Sequence, residues 1–267
     1  MSSEWNADRL DLGAYLHRIG QPDGPPTGAT LDRLHHAHVA TIGFDNLAII
    51  LGNGVDPDLD AVQHKLVRRG RGGYCYEHAV LIAAALERLG YRVDRLLARI
   101  GHDTFRPKPR THMCLRVIGT DGQWLADVGF GAGLLTPMPW TDNQQHQDGW
   151  NYRLGTEPND TTRILAEEGP KGWVPLYSFT SEPVHASDVQ MANHFTATHP
   201  SSPFVNRLVA MRRHAHHRIR LRGRTLQTTR SDGSHFEQNL SEEELGDILA
   251  NEFDIHLTDR ERSELTH

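Results

Sequence analysis

One cysteine of this chain stands where a thiol can act as a nucleophile. Cys75 follows the glycine pair Gly72 and Gly73 and begins an apolar run that ends at Gly90. The run is typical of a helix, and a thiol in the first turn of a helix lies at the positive end of the helix dipole, which favours the thiolate. Glycine has no Cβ, so we expect the backbone before Cys75 to turn sharply and to allow a substrate close to it.

Two further residues complete a set for nucleophilic catalysis, in the order cysteine, histidine, aspartate. His112 and Asp127 both lie in the strand-like part of the sequence downstream of Cys75. Covalent acyl transfer needs a nucleophile, a base and a group that orients the base, and these three residue types fill those roles. The sequence therefore predicts a cysteine-dependent acyl-transfer enzyme.

His112 and Asp127 are predicted to share one face of a β-hairpin. The sequence Gly-Thr-Asp-Gly at 119–122 is a turn signal between two strand-like runs. A two-residue turn pairs position 120 with 123, and a four-residue loop pairs 118 with 123. In both registers, even positions of the first strand lie opposite odd positions of the second, so His112 and Asp127 lie on the same face. Diagonal neighbours on one face have Cα atoms about 7–8 Å apart, which is within reach of these side chains. That Cys75 docks beside this pair is a hypothesis, which the hairpin alone does not establish.

The elements around these residues change type along the chain. Up to Gly90 the pattern is helical, and Thr30 is the expected cap of a helix that contains Leu31, Leu34 and Val39. Strand-like runs follow and favour a small antiparallel barrel or curled sheet. They cover residues 95–100, 112–118, 123–128, 151–154, 162–166 and 173–179. The polar segment 141–148 is predicted to be a mobile loop.

The last third mixes both types of structure. Residues 218–224 alternate like a strand with one exposed face, and Ser241 with Glu244 forms a capping box that opens a helix. Transitions near residues 90 and 200 predict three domains: residues 1–90 with the nucleophile, 91–200 with His112 and Asp127, and 201–267.

Composition narrows the class of protein. The chain has 267 residues and a net charge of -6, which argues against nucleic acid as the main partner. The longest apolar run, residues 79–86, is far too short to cross a membrane, and the N-terminus lacks a basic start and an apolar signal core. Two cysteines are too few for a disulfide framework or a zinc ribbon. We therefore expect a cytoplasmic protein with a reduced thiol.

Some conspicuous residues are not assigned a chemical role. Two groups of histidines have no carboxylate or cysteine at metal-ligand spacing, so no metal site is predicted; they are His35, His36 and His38, and His214, His216 and His217. A basic group is interpreted as a solvated strand face, with contact to the phosphates of CoA as the alternative; it comprises Arg212, Arg213, Arg218, Arg220, Arg222 and Arg224. Cys114 is interpreted as a packing residue near the site.

With these residues in place, the chain resembles the arylamine N-acetyltransferase family, most closely its actinobacterial members, over nearly its whole length. The segment RGGYCYE at 71–77 looks like the nucleophile motif of that family, Thr111-His112-Met113 like its histidine motif, and DVGFG at 127–131 like its aspartate motif. Segments 15–20, 41–47, 198–205 and 251–255 are similar to its other signatures. Several motifs in the correct order make the resemblance specific.

The resemblance implies an α+β fold of three domains: an N-terminal helical bundle, a central antiparallel β-barrel and a C-terminal α/β lid. It implies a cytoplasmic, metal-free enzyme that moves acetyl from acetyl-CoA through an acetyl-cysteine to small aromatic amines, hydrazines and hydroxylamines. By resemblance, the acceptor pocket is lined by Phe44, Tyr74, Phe130 and Phe204, and the CoA arm is bordered by Thr111, Phe130 and Gly131. The oligomeric state stays open between monomer and homodimer.

Three positions depart from the family pattern. Gly43 and Asp45 stand where the family usually has proline and glutamate, and Ala79 where asparagine is common. We expect these changes to alter the contacts under Phe44 and the acceptor preference. Three other functions also remain open: a cysteine hydrolase or transglutaminase-like enzyme, an amide synthase that closes a macrolactam, and a catalytically silent binder of aromatic amines or CoA.

Overall fold

The computed structural model describes residues 4–158 and 161–265. Its first part is helical: a 3-10 turn (Ala7–Arg9), α1 (Leu12–Arg18), α2 (Gly28–Thr41), α3 (Leu47–Ile50), α4 (Leu59–Gln63) and α5 (Cys75–Arg88), with a π-helical turn (His64–Arg68) after α4 and a short strand β1 (Phe44–Asp45) after α2. Helix α5 lies at the centre of this helical part, because its residues 75–86 are all buried. Gly90 ends this helix with a φ of 91°, as the sequence predicts.

The middle of the chain forms one eight-stranded antiparallel sheet in the order β5-β4-β3-β2-β9-β8-β7-β6. Its strands are β2 (Arg92–Ile100), β3 (Arg110–Ile118), β4 (Gln123–Ala126), β5 (Met138–Pro139), β6 (Asn143–Gln147), β7 (Trp150–Thr156), β8 (Thr162–Gly169) and β9 (Gly172–Thr180). The side chain of Gln147 in β6 accepts hydrogen bonds from the backbone N–H groups of Leu135 (2.9 Å) and Thr136 (3.2 Å), just before β5. The two edges of the sheet therefore meet, and the sheet curls into a nearly closed barrel.

The last part of the chain begins with α6 (Ala186–Thr198) and continues with β10 (Val209–Arg213), β11 (His217–Arg222), β12 (Thr225–Arg230), β13 (His235–Asn239), α7 (Glu242–Phe253) and α8 (Asp259–Leu265). Strand β1 joins β10–β13 in a second antiparallel sheet, of order β1-β10-β11-β12-β13. Leu249 and Phe253 of α7 pack with Ile219 and Leu221 of this sheet. Strand β1 thus ties the segment before Cys75 to the C-terminal sheet.

The structure confirms the predicted α+β architecture and several local features. The capping box of α7 forms as expected, since Glu244 N–H donates to Ser241 Oγ at 3.2 Å and Ser241 N–H to the Glu244 carboxylate at 2.7 Å. The predicted cap of α2 is wrong: Thr27 is the cap, and its hydroxyl accepts from the backbone N–H of Thr30, which lies inside the helix. In the part of the chain that the structure describes, no helix is long and apolar enough to span a membrane.

The prediction of a mobile loop at 141–148 is also wrong. Residues 143–147 form strand β6, which pairs with β7 from Asn143↔Leu154 to Gln147↔Trp150. The strand lies at the edge of the sheet, and all five of its residues are polar. Backbone pairing, rather than apolar side chains, therefore defines this strand.

Candidate active site

Cys75 is the first residue of α5, and a buried carboxylate fixes the turn that precedes it. The backbone N–H of Tyr74 donates to Glu77 Oε2 at 3.1 Å, and Lys65 Nζ lies 2.8 Å from Glu77 Oε1. A Cβ at Gly73 would lie 2.6 Å from Glu77 Oε2, and a Cβ at Gly72 would overlap the Gly43 carbonyl oxygen. The glycine pair is therefore required by close approach to these groups. Neither Gly72 nor Gly73 has a positive φ, so their backbone conformation does not itself require glycine.

His112 and Asp127 meet as the hairpin argument predicts. Strands β3 and β4 pair through Ile118↔Gln123, which is the register of the four-residue loop. His112 Nε2 lies 2.7 Å from Asp127 Oδ2, and both residues are buried. The other carboxylate oxygen, Oδ1, accepts from the backbone N–H of Gly129 at 3.0 Å.

The charges of this pair are set by a competition between burial and attraction. Burial disfavours the imidazolium form of His112, but the charge and hydrogen bond of Asp127, together with the neighbouring Cys75, outweigh it and raise the pKa of His112 to about 10. Burial likewise disfavours the Asp127 carboxylate, but His112 and the Gly129 N–H outweigh it and lower the pKa of Asp127. The pair is therefore an imidazolium and a carboxylate at neutral pH.

The structure brings Cys75 to this ion pair. Asp127 occupies Nε2 of His112, which leaves Nδ1 as the other ring nitrogen, and Cys75 is close enough to help raise the pKa of His112. The sulfur also lies 3.8 Å from the carbonyl oxygen of Thr111. A Cβ at Gly129 would lie 2.9 Å from the Cα of Cys75, so the absence of a side chain at Gly129 lets the aspartate turn approach the nucleophile. Cys75 thus lies beside the His112–Asp127 pair, and the three residue types match a nucleophile, a base and an orienting acid.

Two residues lie beside Cys75, His112 and Asp127 that the sequence did not predict to be part of the site. His35 of α2 is fully buried and accepts a hydrogen bond at Nε2 from the backbone N–H of Asp127 (3.2 Å). Leu31, Leu34 and His35 follow the i, i+3, i+4 pattern of one helix face, and this is the signal that could have placed His35 on the buried face. The Tyr177 ring lies 4.9 Å from the His112 ring, centroid to centroid. The Tyr177 hydroxyl is buried and has no hydrogen-bond partner among the described residues.

Four aromatic residues expected near an acceptor lie in two groups, Phe130 beside His112, and Phe44 and Tyr74 on either side of Phe204. Phe130 meets the His112 ring edge to face at 5.2 Å, on the barrel side. Phe204 lies 5.9 Å from Phe44 and 6.0 Å from Tyr74. Tyr74 has no exposed surface and donates its hydroxyl proton to Asn193. Tyr74 therefore lies behind Phe204, while Phe130 and Phe204 are partly exposed.

A glycine brings the two sides of this aromatic group together. Gly131 has a φ of 81°, and a Cβ there would lie 3.1 Å from Phe44 Cγ and 2.7 Å from Met211 Sδ. The turn of Phe130 and Gly131 is therefore in contact with both β1 and β10. Of the three residues expected to border a CoA arm, Thr111 lies next to Cys75 and Gly131 next to Phe44, and Phe130 lies against the His112 ring.

The family departures also have a structural setting. A Cβ at Gly43 would lie 3.3 Å from the Phe253 carbonyl oxygen of α7. Asp45 is buried, accepts from the backbone N–H of Leu47 at 2.9 Å, and has its pKa raised by burial. Ala79 is buried on α5. The first two departures therefore lie between the nucleophile loop and the C-terminal elements.

The basic group is not the uniformly solvated face that the sequence predicts. Arg213 is only 3% exposed, with its guanidinium 4.7 Å from the ring centre of Trp150. Arg218 lies 4.1 Å from the same ring and pairs with Glu167 at 2.8 Å. Trp150 and Glu167 belong to the barrel, so these contacts join the barrel to the C-terminal sheet. Cys114 is buried in the barrel core, as expected of a packing residue.

Among the described residues there is no group of three or more histidine, cysteine, aspartate or glutamate side chains that could hold a metal ion. His35 and His38 are fully buried, and their ring nitrogens bond to backbone groups or to other side chains. His214 and His217 stack on each other with ring centres 4.4 Å apart. His35, His38, His214 and His217 thus have structural partners.

The whole chain is similar to proteins of known structure and function. A family model described as N-acetyltransferase matches residues 28–262. The arylamine N-acetyltransferase of Mycolicibacterium smegmatis is 38% identical over 94% of this chain and 94% of its own length. The crystal structure of the arylamine N-acetyltransferase of Nocardia farcinica superposes with a TM-score of 0.92 at 40% identity, covering 100% of this chain and 96% of that one. The Mycobacterium marinum enzyme in complex with CoA superposes with a TM-score of 0.88 at 35% identity, covering 96% and 97%.

Proposed function

Because this chain belongs to the arylamine N-acetyltransferase family, we propose that Cys75, His112 and Asp127 form its catalytic triad and transfer acetyl from acetyl-CoA to arylamines. The observation that carries the assignment is the buried His112–Asp127 ion pair, 2.7 Å long, in contact with a cysteine at the start of a central helix. A charged imidazole beside a thiol at a helix N-terminus favours the thiolate. The Cys75 thiolate and the His112 imidazolium are then the resting state.

The first half-reaction forms an acetyl-enzyme. The Cys75 thiolate attacks the thioester carbonyl of acetyl-CoA, the C–S bond to CoA breaks, and CoA leaves as its thiol with the proton from His112. The backbone N–H groups in the first turn of α5 are the donors proposed for the oxyanion, because such groups have no partner within the helix. The products are acetyl-Cys75, neutral His112 and free CoA.

The second half-reaction transfers the acetyl group to the amine. An arylamine is weakly basic and therefore neutral near pH 7, so its nitrogen attacks the acetyl-Cys75 carbonyl directly. His112 takes the N–H proton, the C–S bond breaks, and the thiolate–imidazolium pair returns. Asp127 stabilises the imidazolium and keeps the ring in one orientation. Hydrazines and N-hydroxyarylamines are proposed acceptors of the same kind.

The proposed binding residues lie on both sides of the sulfur. Phe44, Phe130 and Phe204 offer ring faces and edges to an aromatic acceptor, with Tyr74 behind Phe204. CoA binding in the Mycobacterium marinum relative supports a CoA site here as well. We place the CoA arm beside Thr111, Phe130 and Gly131.

A reducing compartment such as the cytoplasm is proposed as the location, because the nucleophile must stay a thiol. Both cysteines of the chain are free.

Initial-rate kinetics test this function against its rivals. With acetyl-CoA and an arylamine both varied, we expect parallel double-reciprocal lines, release of CoA equal to acetylated amine, and no activity in Cys75→Ala. Cys114→Ala, which changes the other buried cysteine, should keep the pattern. Intersecting lines would contradict the acetyl-enzyme. Free acetate in place of acetylated amine would favour the hydrolase, and transfer only from other acyl thioesters would favour the amide synthase.

A further inference from the structure

His35 joins helix α2 to the turn that carries the triad aspartate. Its Nδ1 lies 2.9 Å from the carbonyl oxygen of Leu135, and its Nε2 lies 3.2 Å from the backbone nitrogen of Asp127. The residue has no exposed surface. It lies 92 positions from Asp127 in the sequence, so the contact exists only in the folded protein.

These two hydrogen bonds fix the proton position on the His35 ring. A backbone N–H can only donate, so the Nε2 that faces Asp127 carries no proton. A carbonyl oxygen can only accept, so Nδ1 carries the proton and donates it to Leu135. Burial lowers the pKa of His35 to about 4, which keeps the ring neutral, as this arrangement requires. Asp127, His36 and His38 are the titratable groups whose charges act on His35.

We propose that His35 is a positioning residue for Asp127, and through it for His112, in the reaction proposed above. The main chain of Asp127 is held by His35, its Oδ1 by the N–H of Gly129, and its Oδ2 by His112. Three contacts at three different atoms leave the carboxylate one orientation, toward His112. Loss of the His35 contact frees the main chain, so that the carboxylate can move away from the imidazolium.

The same helix supplies two matched controls. His38 is equally buried, but Tyr15 donates to its Nδ1 (3.0 Å) and its Nε2 donates to His78 (2.9 Å), away from Asp127. The direction of this chain follows from its end, because His78 Nε2 faces two carbonyl oxygens and must donate. His36 is exposed. His38 therefore tests loss of a buried hydrogen-bonded histidine, and His36 tests a substitution in α2 as such.

Two substitutions at His35 separate its two hydrogen bonds. The amide nitrogen of His35→Asn reaches the place of Nδ1 and can still donate to Leu135, but no acceptor reaches Asp127. The amide oxygen of His35→Gln reaches the place of Nε2 and can accept from Asp127. We therefore expect the asparagine variant to lose the positioning contact and the glutamine variant to recover it.

The experiment has two readouts. Single-turnover acetylation by acetyl-CoA measures the rate of the chemical step. NMR titration of the His112 ring measures its contact with Asp127 without any substrate. The His112 signal is identified as the one that is absent in His112→Gln. Cys75, Asp127 and Tyr177 are the titratable groups that face His112, so Asp127→Asn provides the reference shift.

We expect His35→Asn to slow acetylation about tenfold or more and to move the His112 midpoint from about 10 toward neutral pH. His35→Gln should recover both in part, and His38→Asn and His36→Asn should keep the wild-type midpoint even where His38→Asn lowers thermal stability. A wild-type midpoint in His35→Asn, or an equal shift in His38→Asn, would overturn the proposal. Failure of the wild type to form an acetyl-enzyme would instead overturn the proposed function, since the titration needs no acetyl donor.

Discussion

Asp127→Asn is the substitution whose effect the structure defines most closely. The N–H of Gly129 donates to Oδ1 at 3.0 Å, so in the variant this position must be taken by the amide oxygen, which can accept. In the wild type, His112 Nε2 donates its proton to Asp127 Oδ2 at 2.7 Å. In the variant, the amide NH₂ group faces Nε2 instead. Nε2 must now accept, and the single ring proton moves to Nδ1, toward Cys75. The imidazole is therefore held neutral and in the wrong tautomer.

The size of the effect follows from the charge lost. With Asp127 present the pKa of His112 is about 10 against an ordinary value of 6.5, and burial acts in the opposite direction. Without the carboxylate, the His112 pKa falls below the ordinary value, so at pH 7.5 about one tenth or less of the ring is imidazolium. Together with the tautomer change, we expect acetylation to slow by about 10³- to 10⁴-fold.

Stopped-flow measurement of CoA release in a single turnover is the assay. Asp121→Asn is the matched control, because Asp121 also accepts from a backbone N–H, that of Gly28 at 2.9 Å, but lies exposed in the hairpin loop. The control should acetylate at the wild-type rate. A wild-type rate in Asp127→Asn would refute the assignment of Asp127 and the tautomer argument together.

Three further predictions concern the contacts around the triad. Gly129→Ala places a Cβ 2.9 Å from Cys75 Cα, so we expect chemical denaturation to show a free energy of unfolding lower by about 1–3 kcal/mol and stopped-flow to show slower acetylation. Gly155→Ala, with no atom within 4 Å of the new Cβ, is the control, and equal effects in both would contradict the close approach. Phe204→Ala should raise the KM for an aromatic amine about three- to tenfold without slowing acetylation, in contrast to Phe236→Ala, where the side chain is 64% exposed; an unchanged KM removes Phe204 from the pocket. The raised pKa of His112 means that the folded state keeps a proton that the unfolded state loses above 6.5, so this stabilisation is complete below pH 6.5 and is lost as pH rises through about 10. Urea denaturation should therefore show the stability difference between wild type and Asp127→Asn shrinking over that range, and a constant difference would count against the ion pair.

The pairing of His112 with Asp127 could be predicted from the sequence because it depends only on parity. Any hairpin loop with an even number of residues at 119–122 places both side chains on one face, and the observed register is one of these. The docking of Cys75 could not be predicted in the same way. It depends on the close approach of Gly129 to α5, which is a tertiary contact between segments far apart in the chain.

Other features could not be predicted from the sequence because their partners are distant in the chain or are backbone groups. His35 has the helical spacing of a buried residue, but nothing near it in the sequence indicates that it bonds to the N–H of Asp127. Strand β6 is polar at all five positions and is held by main-chain pairing with β7, so a search for periodic hydrophobic residues cannot find it. Arg213 belongs to an alternating basic strand, and only the position of Trp150 in the barrel explains its burial.

Covalent acetylation of Cys75 is the central claim, and intact-mass spectrometry measures it directly. The protein is mixed with acetyl-CoA, with and without an arylamine, beside Cys75→Ala and Cys114→Ala. We predict one acetyl group on the wild type and on Cys114→Ala, none on Cys75→Ala, and its complete removal when the arylamine is added. An unmodified wild-type protein that still acetylates the amine would contradict the account, because transfer would then proceed without an acetyl-cysteine.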